Sequence, residues 1–193
     1  MTKFKTLGLF FALAFLAVAC APAAKNDAPQ AIAQTITFEE VNAAQQAWCD
    51  ALVKIGELSE NGDDYTAFAT QVLSDAYDYD SGKVFFKPTL AYGANTFRVT
   101  KKSALAYFVG NDPDFPEDKG FARTPWVSAR YDNIGEGNEG IQIHGNIAIT
   151  MGNVYVTDKN GNEAMVDKTW VFKKGDDGKL RIIVHHSSLP YKP

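Results

Sequence analysis

The stretch from Ile141 to Ser188 constrains the fold more than any other. Ile141 to Thr157 is one long strand-like run, with Gly145 and Gly152 as the points where it can bend or bulge. Lys159-Asn160-Gly161-Asn162 carries the Asn-Gly pair that supplies the positive φ of a tight hairpin turn. Met165 to Phe172 then pairs back, Lys174-Gly175-Asp176-Asp177-Gly178 turns again, and Leu180 to Ser188 closes the set. Turns this short join antiparallel neighbours, because parallel strands need a long crossover.

Ahead of the strands the periodicity is helical. Thr37-Phe38-Glu39-Glu40 is a capping-box pattern. Val41, Ala44, Trp48, Ala51, Leu52, Ile55 and Leu58 follow at helical spacing, and Asn61-Gly62 ends the helix. Asp64 caps a second helix whose apolar face is Tyr65, Phe68, Ala69, Val72, Leu73 and Ala76. From residue 81 the pattern changes: Val84-Phe85-Phe86 reads as a short strand stopped by Pro88, Phe97 to Thr100 as a short strand or bridge, Ala104 to Val109 as an apolar strand, and Trp126 to Asp132 as an alternating one. Helices first and antiparallel strands after predict an α+β domain, with the helices on one face of a strongly curved sheet. Such a sheet makes a cone with an open mouth. Residues 35–193 read as a single domain with no internal repeat.

The first residues read as a leader. Lys3 and Lys5 precede an apolar run, Leu7 to Val18, that is too short to span a bilayer. Residues 1–19 are expected to be a signal peptide, cleaved before Cys20 at Leu16-Ala17-Val18-Ala19-Cys20, which resembles a bacterial lipobox. Cys20 would then carry lipid, and the Ala/Pro/Asn-rich residues 20–34 would be a disordered tether. The expectation is an exported, periplasmic lipoprotein that meets the membrane only through its anchor. Cys49 is then the single cysteine of the mature domain, a buried structural thiol without a disulfide partner. The net charge of −4 and the lack of a basic stripe argue against a nucleic-acid partner.

Two of the three histidines lie in the closing run, L-R-I-I-V-H-H-S-S-L-P-Y. Regular alternation puts Leu180, Ile182, Val184, His186 and Ser188 on one face and Arg181, Ile183, His185 and Ser187 on the other. The first face is apolar up to His186, so His186 and Ser188 are the expected inward pair. His185 and His186 cannot both join His144 in one site, and no carboxylate stands at ligand spacing, so no metal site is expected. No nucleophile elbow, phosphate loop or dinucleotide fingerprint occurs. The acidic run Asp112 to Asp118 reads as a solvated loop. What remains is an imidazole-and-hydroxyl pocket: His186 as general base, Ser188 beside it, and the hydroxyls of Thr89 and Tyr107 as partners.

The run Trp170-Val171-Phe172, the Gly-Asp turn and H-H-S-S-L-P resemble the association domain of calcium/calmodulin-dependent protein kinase II. That domain has the cone-shaped fold of nuclear transport factor, a fold shared with scytalone dehydratase and ketosteroid isomerase. A closer resemblance is to the iota-class carbonic anhydrases. It rests on F-K-P-T-L-A (Phe86 to Ala91), F-R-V-T (Phe97 to Thr100), A-L-A-Y-F-V-G (Ala104 to Gly110), E-D-K-G-F-A (Glu117 to Ala122), M-G-N-V-Y-V-T (Met151 to Thr157) and H-H-S-S-L-P-Y. It implies reversible hydration of carbon dioxide to bicarbonate without a metal, although manganese or zinc is favoured in some members. By motif it places the pocket threonine on Thr89, the tyrosine on Tyr107, and a His-x-Ser pair on either His185 and Ser187 or His186 and Ser188. Strand alternation selects the second pair. A homodimer is expected by analogy with cone domains that pair through the outer sheet face. The alternative is a non-catalytic ligand-binding or oligomerisation module of the same fold.

Overall fold

The computed structural model describes Met1 and residues 35–193. The expected leader, Cys20 and the tether lie outside the described residues. Among the described residues no helix is long and apolar enough to cross a membrane.

Helix α1 (Phe38–Asn61) starts at the capping box: the Thr37 hydroxyl accepts the Glu40 N–H, and the Glu40 carboxylate accepts the Thr37 N–H. Gly62 ends it in the left-handed region, with φ 76°. The helix buries Val41, Trp48, Cys49, Leu52 and Ile55. Helix α2 (Tyr65–Ala76) is capped by Asp64, whose carboxylate accepts the Ala67 N–H, and buries Ala69 and Leu73.

The strands are β1 (Phe85–Lys87), β2 (Trp126–Asn133), β3 (Ile141–His144), β4 (Ile147–Asp158), β5 (Glu163–Lys174) and β6 (Leu180–Ser188). Their order is β1-β6-β5-β4-β2, with β3 also paired to β4. β1 runs parallel to β6, and every other pairing is antiparallel. Helix α1 packs against both β2 and β6, which β4 and β5 separate in the sheet, so the sheet curls around the helix. This is the α+β architecture expected from the element order.

Three expectations are corrected: Phe97 to Thr100 forms neither strand nor bridge, and two more concern longer stretches. Ile141 to Thr157 is two strands, because Gly145 (φ 61°) and Asn146 make a two-residue turn between the paired residues His144 and Ile147. Gly152 then lets β4 pass from β3 to β2, since a Cβ there would collide with the Asp132 carbonyl. Ala104 to Val109 is not a strand but part of α3 (Lys101–Val109). Thr100 caps α3, with its hydroxyl accepting the Ser103 N–H. A short apolar run carries no period that separates a strand from a buried helix, and the cap decides it.

The core between α1, α3 and the sheet is aromatic. Trp170, Phe86, Phe172 and Tyr77 are all at most 1% exposed. Each large side chain buried this way stabilises the domain by roughly 1.5–3 kcal/mol.

Candidate functional site

A β-bulge in β6 decides which residues enter the core. Leu180 and Ile182 face inward as alternation requires, opposite Lys174 and Phe172 of β5. Val184 pairs with Val171, the neighbour of Phe172, so Ile183 has no counterpart on β5. One extra residue reverses the facing of everything after it. His185 and Ser187 therefore point inward, each 1% exposed, whereas His186 is exposed and Ser188 only half-buried. The expected inward pair, His186 and Ser188, is corrected to His185 and Ser187.

Thr89 and Tyr107 meet this pair. Parallel pairing of Phe86 with His185 and Lys87 with His186 carries the chain alongside β6, and Pro88 then turns it so that Thr89 reaches Ser187. Their hydroxyl oxygens are 2.6 Å apart. The Lys87 ammonium secures the crossing by donating to the Ser187 carbonyl at 2.9 Å. Tyr107, on the inner face of α3, is 5% exposed and accepts the Leu90 N–H at 3.4 Å. Burial pushes its phenol up to about 12, so it is a neutral O–H donor at ordinary pH.

These four side chains line one small pocket with a cavity volume of about 10 Å³, together with Trp48, Phe86, Pro88, Phe108, Phe121 and Lys168. That is room for about one water molecule, so CO2 and the attacking water together need the side chains around it to give way. Tyr107 and Phe121, stacked with centroids 5.7 Å apart, also line a wider open pocket of about 200 Å³. Glu117, Asp118 and Lys119 line that outer pocket as well.

His185 is not a free base. Its Nδ1 is hydrogen-bonded to the Tyr77 hydroxyl at 2.9 Å, and its Nε2 to the Lys168 amine at 2.9 Å. Tyr77 in turn accepts the Trp48 indole N–H at 2.8 Å. The ring stacks on Phe86 with centroids 4.3 Å apart. Burial holds its pKa well below the ordinary imidazole value, with Lys168 adding to the effect. Burial likewise pulls Lys168 down to about 7.

Lys168, Tyr77 and Trp48 were not anticipated as site residues. Lys168 did leave a signal: Val166, Lys168, Trp170 and Phe172 alternate on the buried face of β5, and a lysine in that series is out of place on a core face. The acidic loop is not simply solvated. Asp118 pairs with the fully buried Arg98 at 2.9 Å, and Arg98 also lies over the Phe115 ring. Cys49 is buried, with its thiol pushed up to about 12 by burial, as a structural thiol should be. His144 is exposed at the end of β3. Among the described residues no group of three His, Cys, Asp or Glu side chains is placed to hold a metal ion.

Known proteins match most of this chain. The family model for metal-independent carbonic anhydrase matches residues 39–189. A metal-independent carbonic anhydrase from Nostoc sp. (strain PCC 7120) is 53% identical over 161 residues, which is 82% of this chain and 76% of the relative. The crystal structure of a cyanobacterial iota-carbonic anhydrase complexed with bicarbonate matches with a TM-score of 0.78 at 53% identity, covering 82% of this chain and 95% of that one. A calcium/calmodulin-dependent protein kinase II association-domain protein from Xanthomonas campestris matches with a TM-score of 0.50 at 20% identity, covering 84% and 98%, and shares the fold alone.

Proposed function

The chain belongs to the metal-independent carbonic anhydrase family, and from that premise we propose that its reaction takes place in the pocket formed by Thr89, Tyr107, His185 and Ser187. The protein is a carbonic anhydrase that interconverts carbon dioxide and bicarbonate without a metal cofactor. The observation that carries the site is convergence. Four side chains from β1's exit, α3 and β6 share one buried pocket of small volume.

Hydration needs a water to attack the carbon of CO2, a group to take its proton, and donors for the charge that grows on the carboxylate oxygens. In a metal-independent reaction no metal lowers the pKa of the water, so fixed dipoles and a base must do the work. In the Thr89–Ser187 pair one hydroxyl donates to the other, and the second O–H remains for substrate. Tyr107 supplies another neutral donor. The rings of Trp48, Phe86, Phe108 and Phe121 make most of the remaining wall apolar, which suits CO2 and strengthens the hydrogen bonds inside.

The direct test is stopped-flow CO2 hydration by the full chain, with and without a strong chelator. Turnover that survives chelation is expected. Turnover abolished by the chelator and restored by manganese or zinc contradicts the metal-free reading. The non-catalytic alternative has only a fold-level likeness behind it.

Residues 1–19 act in this reading as an export signal, and lipid on Cys20 holds the domain at the periplasmic face of a membrane; the basic start, the apolar run and the small residues before Cys20 support this. Incorporation of labelled palmitate that is lost in Cys20→Ser is expected, and equal labelling of both chains contradicts it. A homodimer through the outer sheet face is supported by Val127, Ile149 and Met151, exposed on β2 and β4. Sedimentation as a monomer at micromolar concentration overturns it.

A further inference from the structure

We propose that the Lys168 amine, rather than His185, takes the proton from the attacking water. The inference rests on the pocket described above being the hydration site. Lys168 lines that pocket beside Ser187, its register partner on β6. Its amine lies 2.9 Å from His185 Nε2 and over the Trp48 ring, 4.7 Å from the centroid. The arrangement that serves both protonation states of the amine has His185 Nε2 accepting an N–H from Lys168. His185 Nδ1–H then donates to the Tyr77 hydroxyl oxygen, which also accepts from Trp48. Both ring nitrogens of His185, the Nε2 acceptor and the Nδ1–H donor, are then spent inside the protein, while the lone pair of a neutral Lys168 is left for the pocket.

The surroundings let that amine lose its proton near pH 7. The titratable groups around it are His185 on β6 and Cys49 on α1, with Tyr107 on α3 lining the same pocket and Tyr131 on β2 donating to the Lys168 carbonyl. Burial holds the thiol and both phenols at about 12, and His185 well below its ordinary value, so all four are uncharged there. Among the described residues no carboxylate pairs with Lys168, whose own pKa of about 7 is where a general base for a neutral-pH reaction is most effective. In the step, the water oxygen bonds to the CO2 carbon, one water O–H bond breaks, and its proton forms an N–H bond on Lys168. The products are bicarbonate and the Lys168 ammonium, which passes the proton to buffer before the next turnover.

The test measures CO2 hydration across roughly pH 6 to 9 for the full wild-type chain and for Lys168→Met, Lys168→Arg and Ser187→Ala. The wild-type rate is expected to rise with a midpoint near 7. Both Lys168 variants are expected to lose about 100-fold or more and to lose that rise. If Ser187→Ala is inactive while Lys168→Met keeps the wild-type rate and profile, the pocket stands and the base assignment falls. If none of the variants changes turnover, the pocket itself is the wrong site. Should the Lys168 variants fail to fold, a 15N titration of the lysine amines in the wild-type chain decides: a Lys168 midpoint that tracks the rate supports the assignment, and one above about 9 overturns it.

Discussion

The hydroxyl oxygens of Thr89 and Ser187 lie 2.6 Å apart, although 98 residues separate them in the chain. The pair exists because β1 joins β6 in parallel and Pro88 then ends β1, which brings the loop end level with Ser187. Replacing Thr89 with valine keeps the volume and removes the hydroxyl. Thr89→Val is expected to lose about 100-fold in kcat/KM, the scale seen when one preorganised donor is removed, with its melting temperature little changed. Stopped-flow kinetics beside a calorimetric scan checks both. A Thr89→Val chain with wild-type kinetics means that the pair does not orient substrate.

Tyr77 is the acceptor for two buried donors, the Trp48 indole N–H and the Nδ1–H of His185. Tyr77→Phe leaves the ring packing in place and strands both. It is expected to cost on the order of 3 kcal/mol in urea unfolding, since each buried unsatisfied group costs about 1–3 kcal/mol. A loss under about 0.5 kcal/mol would show that the hydroxyl carries no structural load.

Stability should rise with pH, and the sign follows from two buried bases. In the folded chain burial lowers Lys168 from 10.5 to about 7 and holds His185 well below 6.5. The unfolded chain therefore binds more protons than the folded chain between about 7 and 10.5, and again just below 6.5. Where the unfolded state binds more protons, raising the pH stabilises the fold. Lys168→Met removes the upper of these two effects. It is expected to flatten the rise above pH 7. Urea melts at several pH values read this directly, and an unchanged pH slope in Lys168→Met contradicts a neutral buried amine.

Much of the fold was legible in the sequence because its signals are local. The Thr37–Glu40 capping box, the Asp64 cap and the Asn160-Gly161 turn each specify a conformation through their nearest neighbours. The facing of the site was not legible. It depends on a bulge at Ile183, and nothing in L-R-I-I-V-H-H marks which residue lacks a partner, because the register is set by β5. Thr89 and Tyr107 were reachable through the family resemblance, yet Tyr107 was placed on a strand, because Ala104 to Val109 is apolar all round. Lys168 was readable in principle as the one cation in the Val166–Trp170–Phe172 series. Its significance appears only when β6 brings His185 within 2.9 Å.

The central claim is that the bulge turns Ser187, and not Ser188, into the pocket. CO2 hydration by Ser187→Ala and Ser188→Ala, measured side by side, tests it most directly. Ser188 is half-buried, and its hydroxyl lies 3.4 Å from the Asp167 carboxylate, away from the Thr89 pair. Ser187→Ala is expected to lose about 100-fold or more in kcat/KM, while Ser188→Ala stays within about threefold of wild type. An active Ser187→Ala chain beside an inactive Ser188→Ala chain contradicts the account.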